Sequence, residues 1–462
     1  MNFLKSKIIE ATEGRLLPKI FQYALPLMLS VLIQQLFNAI DIVVLGNMAD
    51  SSAVASVSST NSVTSLLVTS FVGLASGSRV VLARQIGARA HDDVRKTVDT
   101  SLILSVVIGV VIAIVGFAAA PWFLEITKCP DNCIAGALIY IRIYVTAAPV
   151  ILLYNFGSAA INASGDTQRP LYYIMIGGVT NVVLNVILCL ILPQKVVAVA
   201  VATVASQVIC AVLISRRLLT MDGPCRVIVK KMRFYGKAFG EVLRFGLPMM
   251  LVNALFPLSN LQITSAINSF DYLATAGNGA ATTIENVISA TSGPISTTAA
   301  TFIGQNIGAQ KPDRVKKSFY QCLLITVLIG GLVGVITFFT GRFWLGLIVG
   351  FDEEVAITFG LVRMSCTTLF YFVACANNVF GSALQAHGYS SVSAINSVFC
   401  VFVFRIIWMQ LFYPSCADLP TYQRFFMVTF CFLVSWTLRL LVNFVAFGIV
   451  RSKYNRGIRK VL

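Results

Sequence analysis

The stretch "IFQYALPLMLSVLIQQLFNAIDIVVLGNM", residues 20–48, contains 29 residues and one charged side chain, Asp41. About 20 consecutive apolar residues are enough for a helix to cross a bilayer, so this stretch predicts a membrane-spanning helix. A charged side chain in hydrocarbon is costly, and most such residues are functional. We therefore expect Asp41 to have a function, because its ionised form needs a cation, a proton or several hydrogen-bond donors nearby.

The composition extends this prediction to the whole chain. Of its 462 residues, 57% are hydrophobic and 12% are charged, and the mean hydropathy is +0.82. A soluble domain has about 25% charged residues. Apolar runs recur along the entire length without the alternation of a β-barrel, which predicts an all-α polytopic membrane protein. We expect twelve transmembrane helices, at roughly 20–48, 53–83, 97–119, 137–161, 170–192, 196–219, 245–269, 275–304, 319–340, 357–381, 391–413 and 425–449.

The distribution of basic residues predicts the orientation. The net charge of +16 does not indicate nucleic-acid binding, because most Lys and Arg residues lie in short connections between apolar runs. Basic connections face the cytoplasm in membrane proteins. The N-terminus, the tail after residue 450 and the longest connection, 216–244, are all basic. We therefore predict a plasma (inner) membrane protein with both termini cytoplasmic and no cleaved signal peptide.

Three sequence matches indicate an internal repeat. "ALPLM" (24–28) returns as "GLPMM" (246–250), and "RQIGARAHDDVRKT" (84–97) returns as "QNIGAQKPDRVKKS" (305–318). "FGSAAINASGD", from residue 156, returns as "FGSALQAHGY", from residue 380. The shift is close to 222 residues each time, so each half holds six helices in the same membrane orientation. Parallel repeats of this kind are typical of alternating-access transporters with the substrate site between the halves.

The repeat also predicts the domain organisation. We expect an N-terminal lobe over residues 1–215, a basic cytoplasmic linker over 216–244, a C-terminal lobe over 245–450 and a basic tail over 451–462.

Several motifs resemble one transporter family along essentially the whole chain. They are "ALPLM…NAIDIVVLG", "RQIGA" and "QNIGA", "INASGDTQRP", "TNVVLN" and "VAVATVASQ". In this order they resemble the multidrug and toxic compound extrusion (MATE) family, in its bacterial multidrug-resistance branch. The resemblance implies a drug exporter coupled to a cation.

Polar side chains on three predicted helices indicate where the coupling cation binds. Gln34, Asn38 and Asp41 are spaced to share one helix face, and so are Asn181 and Asn185. Spacing alone does not bring these helices together with Thr203. The family resemblance implies a cation site at Asp41, Asn181, Asn185 and Thr203. We expect Asn38, on the same helix face as Asp41, to take part in coupling as well. One carboxylate with neutral oxygen ligands suits H⁺ or Na⁺ better than a divalent ion. Some relatives have Asp where this chain has Asn185, which leaves H⁺ and Na⁺ both open.

A second polar stripe runs along the eighth predicted helix. Residues Asn278, Thr282, Glu285, Ser289, Ser292 and Ser296 recur at helical spacing. The stripe predicts a substrate cavity lined by Gln34, Asn278, Thr282, Glu285 and Ser289. The alternative is a polar packing face in which Glu285 pairs with a basic residue such as Arg439.

Other intramembrane residues are less informative. Arg363 is expected to reach the interface from a helix end. Arg405 and Arg439 lie deeper and need partners that the sequence does not identify. Cys129 and Cys133 form a close pair without further zinc ligands, so they are either bridged or inert.

These features favour a cation-coupled antiporter that exports amphiphilic organic cations. It would need no cofactor apart from the coupling ion and act as a monomer. The alternative is a lipid-linked precursor flippase, which would need a more cationic cavity. A receptor or scaffold would not need a buried carboxylate. An enzyme is disfavoured, because the two histidines, His91 and His387, lie in predicted loops without a nucleophile or metal-ligand set.

The orientation can be tested with an impermeant thiol reagent on intact cells. Single cysteines at Lys237 and Lys453 should not react, because their connections are basic, whereas a cysteine at Asp352 should react. The native cysteines that react must first be replaced. Labelling at Lys237 or Lys453 would contradict the predicted topology.

Overall fold

The structure is a computed structural model that describes residues 8–48, 51–126, 131–416, 418–455 and 457. The side chain of Asn38 is not among those described, and neither is Cys129. Predictions on those two side chains therefore lie outside the described residues. In the described ranges the chain forms helices joined by short connections and no β-strand.

The first half of the chain forms seven α-helices. They are α1 (Leu16–Met48), α2 (Ser51–Gly87), α3 (His91–Ile126), α4 (Asp131–Thr146), α5 (Ala148–Ala163), α6 (Gln168–Ile191) and α7 (Lys195–Thr220). The linker that follows contains a short 3-10 helix, Val229–Lys231.

The second half repeats this order with more breaks. Its helices are α8 (Gly236–Asn268), α9 (Tyr272–Gly308), α10 (Pro312–Phe339), α11 (Gly341–Val349), α12 (Glu354–Cys366), α13 (Tyr371–Ala386), α14 (Ser390–Ser397), α15 (Phe404–Ile407) and α16 (Thr421–Asn455). The π-helical segment Val398–Val403 joins α14 to α15, and a second one, Trp408–Phe412, continues the same rod after α15. Pro414–Cys416 then forms a 3-10 turn.

The helices account for the twelve predicted spans. Nine described helices are long and apolar enough to cross a membrane, and the count is eleven when two bent pairs each form one span. The bent pairs are α4 with α5, at 47°, and α12 with α13, at 45°. Helix α9, which carries the polar stripe, corresponds to the remaining predicted span, 275–304. The predicted all-α fold with twelve spans is confirmed.

The internal repeat is visible in the backbone as well as in the sequence. Arg89 and Gln310 are the two described non-glycine residues with positive φ, at 57° and 54°. They lie two residues after the ends of α2 and α9 and are 221 positions apart. Gly165 and Gly388 follow α5 and α13 with φ of 96° and 91°. A Cβ at Gly165 would lie 2.3 Å from the Ile9 carbonyl oxygen, so this turn requires glycine.

The contacts divide the chain into two compact units that are not contiguous in sequence. The first unit holds Leu25–Met250 together with the segment that ends at Ala11. The second holds Thr12–Ala24 together with the chain from Leu251 onward. The divisions fall inside α1 and α8, next to Pro26 and Pro248, whereas the sequence placed the lobe boundaries at 215 and 245. Each unit thus contains the first part of the other repeat's first helix.

Polar contacts hold each exchanged segment in place. In the second unit, Lys311 Nζ donates to the Thr12 carbonyl oxygen at 2.9 Å, and Arg314 donates to the carbonyl oxygens of Glu13 and Gly14, both at 3.0 Å. In the first unit, the backbone N–H of Tyr235 donates to Thr100 Oγ1 at 3.2 Å.

A close approach of backbones packs the start of α8 in the first unit. A Cβ on Gly77 of α2 would lie 2.3 Å from the backbone nitrogen of Gly246, and one on Gly73 would lie 2.8 Å from the Met249 carbonyl oxygen. Glycines four residues apart let two membrane helices touch along their backbones, which maximises dispersion contacts. The pair Gly73 and Gly77 therefore fixes α8 against α2.

Gly77→Leu should destabilise the first unit, because its side chain would have to displace backbone atoms. Overpacking of this kind costs about 1–3 kcal/mol. Gly240→Leu is the matched control, since nothing lies within 4 Å of a Cβ there. Thermal unfolding in detergent should show a lower midpoint for Gly77→Leu alone. Equal midpoints for the two variants would contradict the packing described here.

Candidate functional site

Four of the predicted site residues converge in the first unit. Asp41 on α1 accepts a hydrogen bond of 2.6 Å from Asn185 Nδ2 on α6. The same amide nitrogen lies 3.3 Å from Asn181 Oδ1, and Asn181 Nδ2 lies 3.5 Å from Thr203 Oγ1 on α7. The carboxylate, two amides and one hydroxyl thus form a continuous polar cluster.

The contact between Asn181 and Asp41 defines the chemistry of this cluster. One terminal atom of the Asn181 amide lies 2.6 Å from Asp41 Oδ1 and 3.2 Å from Oδ2. With the amide nitrogen in this position, both asparagines donate to the carboxylate. With the amide oxygen in this position, the two oxygens need a proton or a cation between them. The geometry is compatible with both states.

Asn185 supplies a spare acceptor. Its side chain is fully buried, and its Oδ1 has no hydrogen-bond partner among the described residues. A buried carbonyl oxygen without a donor loses its hydration and gains nothing in return. Such an oxygen is a ready ligand for a cation that approaches Asp41.

Tyr140 on α4 is a further member of the cluster that the sequence did not identify. Its hydroxyl lies close to Thr203 and within electrostatic reach of Asp41. The ring is 8% exposed and stacks on Tyr144 with centroids 6.3 Å apart. From the sequence alone, a tyrosine in an apolar helix is expected to be a core residue. Only the packing of α4 on α7 shows that Tyr140 lies next to the Asp41 cluster.

Two adjacent glycines on α6 explain why the three helices meet. A Cβ on Gly178 would lie 1.8 Å from the ring of Phe37 on α1, and a Cβ on Gly177 would lie 2.2 Å from Cys210 Sγ on α7. Helix α6 therefore touches α1 on one side and α7 on the other. Phe37 is one turn before Asp41, so this contact places the carboxylate beside the asparagines.

The remaining first-helix residue of the prediction lies elsewhere. Gln34 is exposed, and its Nε2 donates to the Ser30 carbonyl oxygen of its own helix at 3.2 Å. Among the described contacts it does not reach Asp41.

The second unit contains a different arrangement around Glu285 on α9. Arg363 on α12 donates to both carboxylate oxygens, from Nε at 2.9 Å and from Nη2 at 2.8 Å. Its Nη1 donates to Asn278 Oδ1 at 2.7 Å. Thr367 also donates to Glu285. A bidentate pair of this type is directional and strong.

The expected roles of two arginines are corrected by this geometry. Glu285 pairs with Arg363 rather than with Arg439, and Arg363 is 5% exposed rather than directed to the interface. The cause is a close contact of α9 with α12: a Cβ on Gly277 would lie 2.1 Å from the Ala356 carbonyl oxygen. That contact turns Arg363 inward, onto the polar stripe of α9.

The rest of the stripe shares this environment. Thr282 donates to the Asn278 carbonyl oxygen at 2.8 Å. Ser289 is exposed and lies close to Tyr371 of α13. The stripe thus combines a buried ion pair with hydroxyl groups at its accessible edge.

Arg405 is fully buried beside this pair. It donates to Asn260 Oδ1 at 2.8 Å, Ser259 Oγ at 3.1 Å and Ser435 Oγ at 3.3 Å. Its guanidinium lies over the ring of Phe432 at 4.4 Å. All three hydrogen-bond acceptors are neutral, and Nη2 has no hydrogen-bond partner among the described residues.

Arg439 adds another cation to this region. It lines a small pocket with Phe256 and Ser397, and its Nε has no hydrogen-bond partner among the described residues. Arg405 lies within electrostatic reach of Arg363, Arg439 and Glu285. Among these groups Arg363 pairs with Glu285 directly, whereas Arg405 and Arg439 form no ion pair in the described part of the chain.

Twelve spans in two repeats, with polar clusters inside an apolar bundle, define a polytopic membrane transporter. The model of the MatE family matches residues 26–187 and again residues 248–409. The two matches begin 222 positions apart, which is the shift of the internal repeat. The chain belongs to the MatE family, whose members are transporters rather than enzymes.

Individual relatives agree with this assignment. The chain is 24% identical over 392 residues to the probable multidrug resistance protein YoeA of Bacillus subtilis, which covers 82% of this chain and 83% of that protein. It is 23% identical over 285 residues to a FAD transporter of Shewanella oneidensis, with 60% and 61% covered. An outward-facing structure of a multidrug resistance MATE transporter superposes with a TM-score of 0.87 at 19% identity, covering 96% of this chain and 99% of that chain.

The ion pair in the second unit can be tested by a double-mutant cycle. Glu285→Gln or Arg363→Gln should each lower the unfolding free energy by about 3–5 kcal/mol, because each leaves one buried charge unpaired. The double variant should lose less than the sum of the two. Thermal or denaturant unfolding in detergent measures this coupling, and additive losses would show that the two side chains do not interact.

Proposed function

We propose that the protein is a cation-coupled antiporter that exports amphiphilic organic compounds, with Asp41 as the coupling residue. The observation that carries the proposal is the cluster of one carboxylate, two amides and one hydroxyl in the first unit. Multidrug relatives support the export of drug-like compounds. The coupling step and the class of substrate are inferred from the site.

The donor set suits a monovalent ion. Asp41 contributes one negative charge, while Asn181, Asn185, Thr203 and Tyr140 contribute neutral oxygens. A divalent ion normally takes several carboxylates, and no group of three or more His, Cys, Asp or Glu side chains that could hold a metal occurs in the described part of the chain. Na⁺ or H⁺ therefore fits best as the transported counter-ion.

The ion changes the energy of the site in a simple way. A carboxylate in a dry environment is strongly disfavoured until a proton or a cation neutralises it. Loading therefore stabilises a closed, desolvated cluster, whereas unloading favours a state in which water reaches Asp41. An ion that binds two states with different affinity shifts the population between them, which is the requirement for coupled transport by alternating access.

Glu285 has a different proposed role from Asp41. Because Arg363 neutralises it, it is suited to holding the shape of a substrate cavity rather than to exchanging an ion. We propose that Asn278, Thr282, Glu285 and Ser289 line that cavity and that the exposed Ser289 is the member nearest to substrate.

Arg405 favours a second candidate, the transport of an anionic compound. Its guanidinium is fully buried, and its hydrogen-bond partners among the described residues are all neutral. Arg405 and the charged groups within its electrostatic reach, Arg363, Arg439 and Glu285, together carry a formal charge of +2. An anion would compensate that charge. A relative named as a FAD transporter is in line with this candidate, since FAD carries a pyrophosphate. A flippase of anionic lipid-linked precursors belongs to the same class of substrate.

Transport into proteoliposomes separates the two candidates. Ethidium and FAD are offered as substrates, with Na⁺ and pH gradients imposed one at a time and empty liposomes as the blank. Gradient-driven accumulation of ethidium but not FAD supports the first candidate. Accumulation of FAD alone supports the second.

Asp41→Asn should abolish gradient-driven export while leaving a folded, inserted protein, because the amide keeps the shape but fixes the neutral state. Asn181→Ala and Thr203→Ala should weaken coupling less, since each removes one neutral ligand. Glu125→Gln is the matched control, because it removes an exposed carboxylate of the same unit outside the cluster. Efflux is measured at matched expression. If Asp41→Asn exported at the wild-type rate with unchanged ion dependence, Asp41 would not be the coupling residue.

A further inference from the structure

The first unit contains an open apolar groove whose lining includes none of the residues proposed for the ion site or the substrate cavity. Its volume is about 400 Å³, and it lies between α3, α5, α7 and the linker. The lining is apolar apart from Ser215 and includes Leu102, Val106, Leu153, Leu218, Val227 and Met232. Val106 is 44% exposed, and its neighbour Val107 is 55% exposed. The groove therefore opens on the outer surface of the unit.

The groove lies at one end of the membrane spans. Helix α7 ends at Thr220, and the linker then folds back over its last turn. The backbone N–H of Val227 donates to the Leu218 carbonyl oxygen at 2.9 Å, and that of Tyr235 donates to Thr100 at 3.2 Å. These bonds fix the linker at both ends, so one wall of the groove is preformed.

Positive charge surrounds this wall. Residues 216–237 contain seven basic side chains and one acidic side chain. Arg226, Lys230, Lys231 and Arg233 are exposed, and each is adjacent in sequence to a residue that lines the groove. None of the four forms an ion pair among the described residues.

Exposed apolar side chains alternate with these charges. Val229 is 66% exposed and Phe234 is 52% exposed, although both lie in a segment that is otherwise strongly basic. Apolar and aromatic side chains mixed with Lys and Arg are typical of protein segments at the bilayer surface. Basic clusters next to a membrane helix attract anionic headgroups.

We propose that this groove binds an anionic phospholipid of the bilayer. One acyl chain lies against Leu102, Val106 and Leu218, and the phosphate lies among Lys230, Lys231 and Arg233. In this site the lipid lies between the linker and α3, both of which belong to the first unit. It goes beyond the proposed transport function, because it depends on neither the coupling ion nor the substrate.

Native mass spectrometry of the detergent-solubilised full chain tests the proposal. The probes are phosphatidylglycerol and phosphatidylcholine with identical acyl chains. Wild type should retain one phosphatidylglycerol in preference to phosphatidylcholine. The variant Lys230→Gln/Lys231→Gln/Arg233→Gln should bind phosphatidylglycerol roughly a hundredfold more weakly, since each basic residue near the headgroup contributes about fivefold.

A charge-matched control separates a site from general attraction. Lys316→Gln/Lys317→Gln/Lys453→Gln removes the same charge from exposed positions of the second unit. It should bind phosphatidylglycerol as wild type does. An equal loss in both triple variants, or no preference for phosphatidylglycerol in wild type, would mean that only unspecific surface lipid is present and would overturn the proposal.

A second pair of variants tests the acyl-chain wall. Val106→Trp fills the groove, whereas Val110→Trp places the same side chain one turn along α3, at a position that is also 44% exposed but does not line the groove. Only Val106→Trp should lose the bound lipid. Wild type should also fail to retain soluble glycerol 3-phosphate, which has the phosphate but no acyl chain. If glycerol 3-phosphate bound as strongly as phosphatidylglycerol, the site would recognise only the anion, which would contradict the proposal.

Discussion

Close contact between helix backbones is the constraint on which this structure depends. In a membrane the surrounding lipid is as apolar as the side chains, so helices associate through dispersion contacts and hydrogen bonds rather than through the hydrophobic effect. Gly77 brings α2 onto α8, Gly178 brings α6 onto α1, and Gly277 brings α9 onto α12. The first contact fixes the exchanged helix segment. The other two place Asp41 beside its asparagines and Arg363 beside Glu285.

The two units share a fold but differ in electrostatics. In the first unit the Asp41 carboxylate is surrounded by neutral groups, and the buried Asn185 Oδ1 has no hydrogen-bond partner within the described ranges. In the second, the carboxylate is already neutralised by Arg363, and Arg405 forms no ion pair with an acidic side chain that the structure describes. The repeat maps Asp41 onto Ile263, a residue of the second unit's hydrophobic core that is 1% exposed. The two repeats therefore kept similar packing while their polar residues diverged. The first unit has a carboxylate without a basic partner among the described residues, and the second has a carboxylate held in an ion pair.

The sequence was sufficient for the features that depend on local pattern. Apolar runs predicted the twelve spans, and three short matches predicted a repeat that appears again in paired left-handed residues such as Arg89 and Gln310. Side-chain spacing placed Asn181 and Asn185 on one face, although only family resemblance brought them to Asp41. The prediction that Arg363 reaches the interface was wrong. It rested on the position of Arg363 near a helix end, and the neighbouring sequence does not indicate the 45° bend between α12 and α13. Tyr140 was not predicted because only the packing of α4 against the neighbouring helices brings it close to Asp41 and Thr203.

The exchange of helix segments has a consequence for biosynthesis. The segment Thr12–Ala24 packs with residues from Leu251 onward. The ribosome releases this segment long before it has synthesised those residues. During that interval the start of α1 has no native neighbour in its own unit, and the first unit also lacks the stretch that begins at Gly236. Neither six-helix half is therefore an independent cotranslational folding unit. A gene divided within the linker would yield two fragments that each lack a structural segment, and the native assembly would form only when both fragments insert into the same membrane and trade those segments.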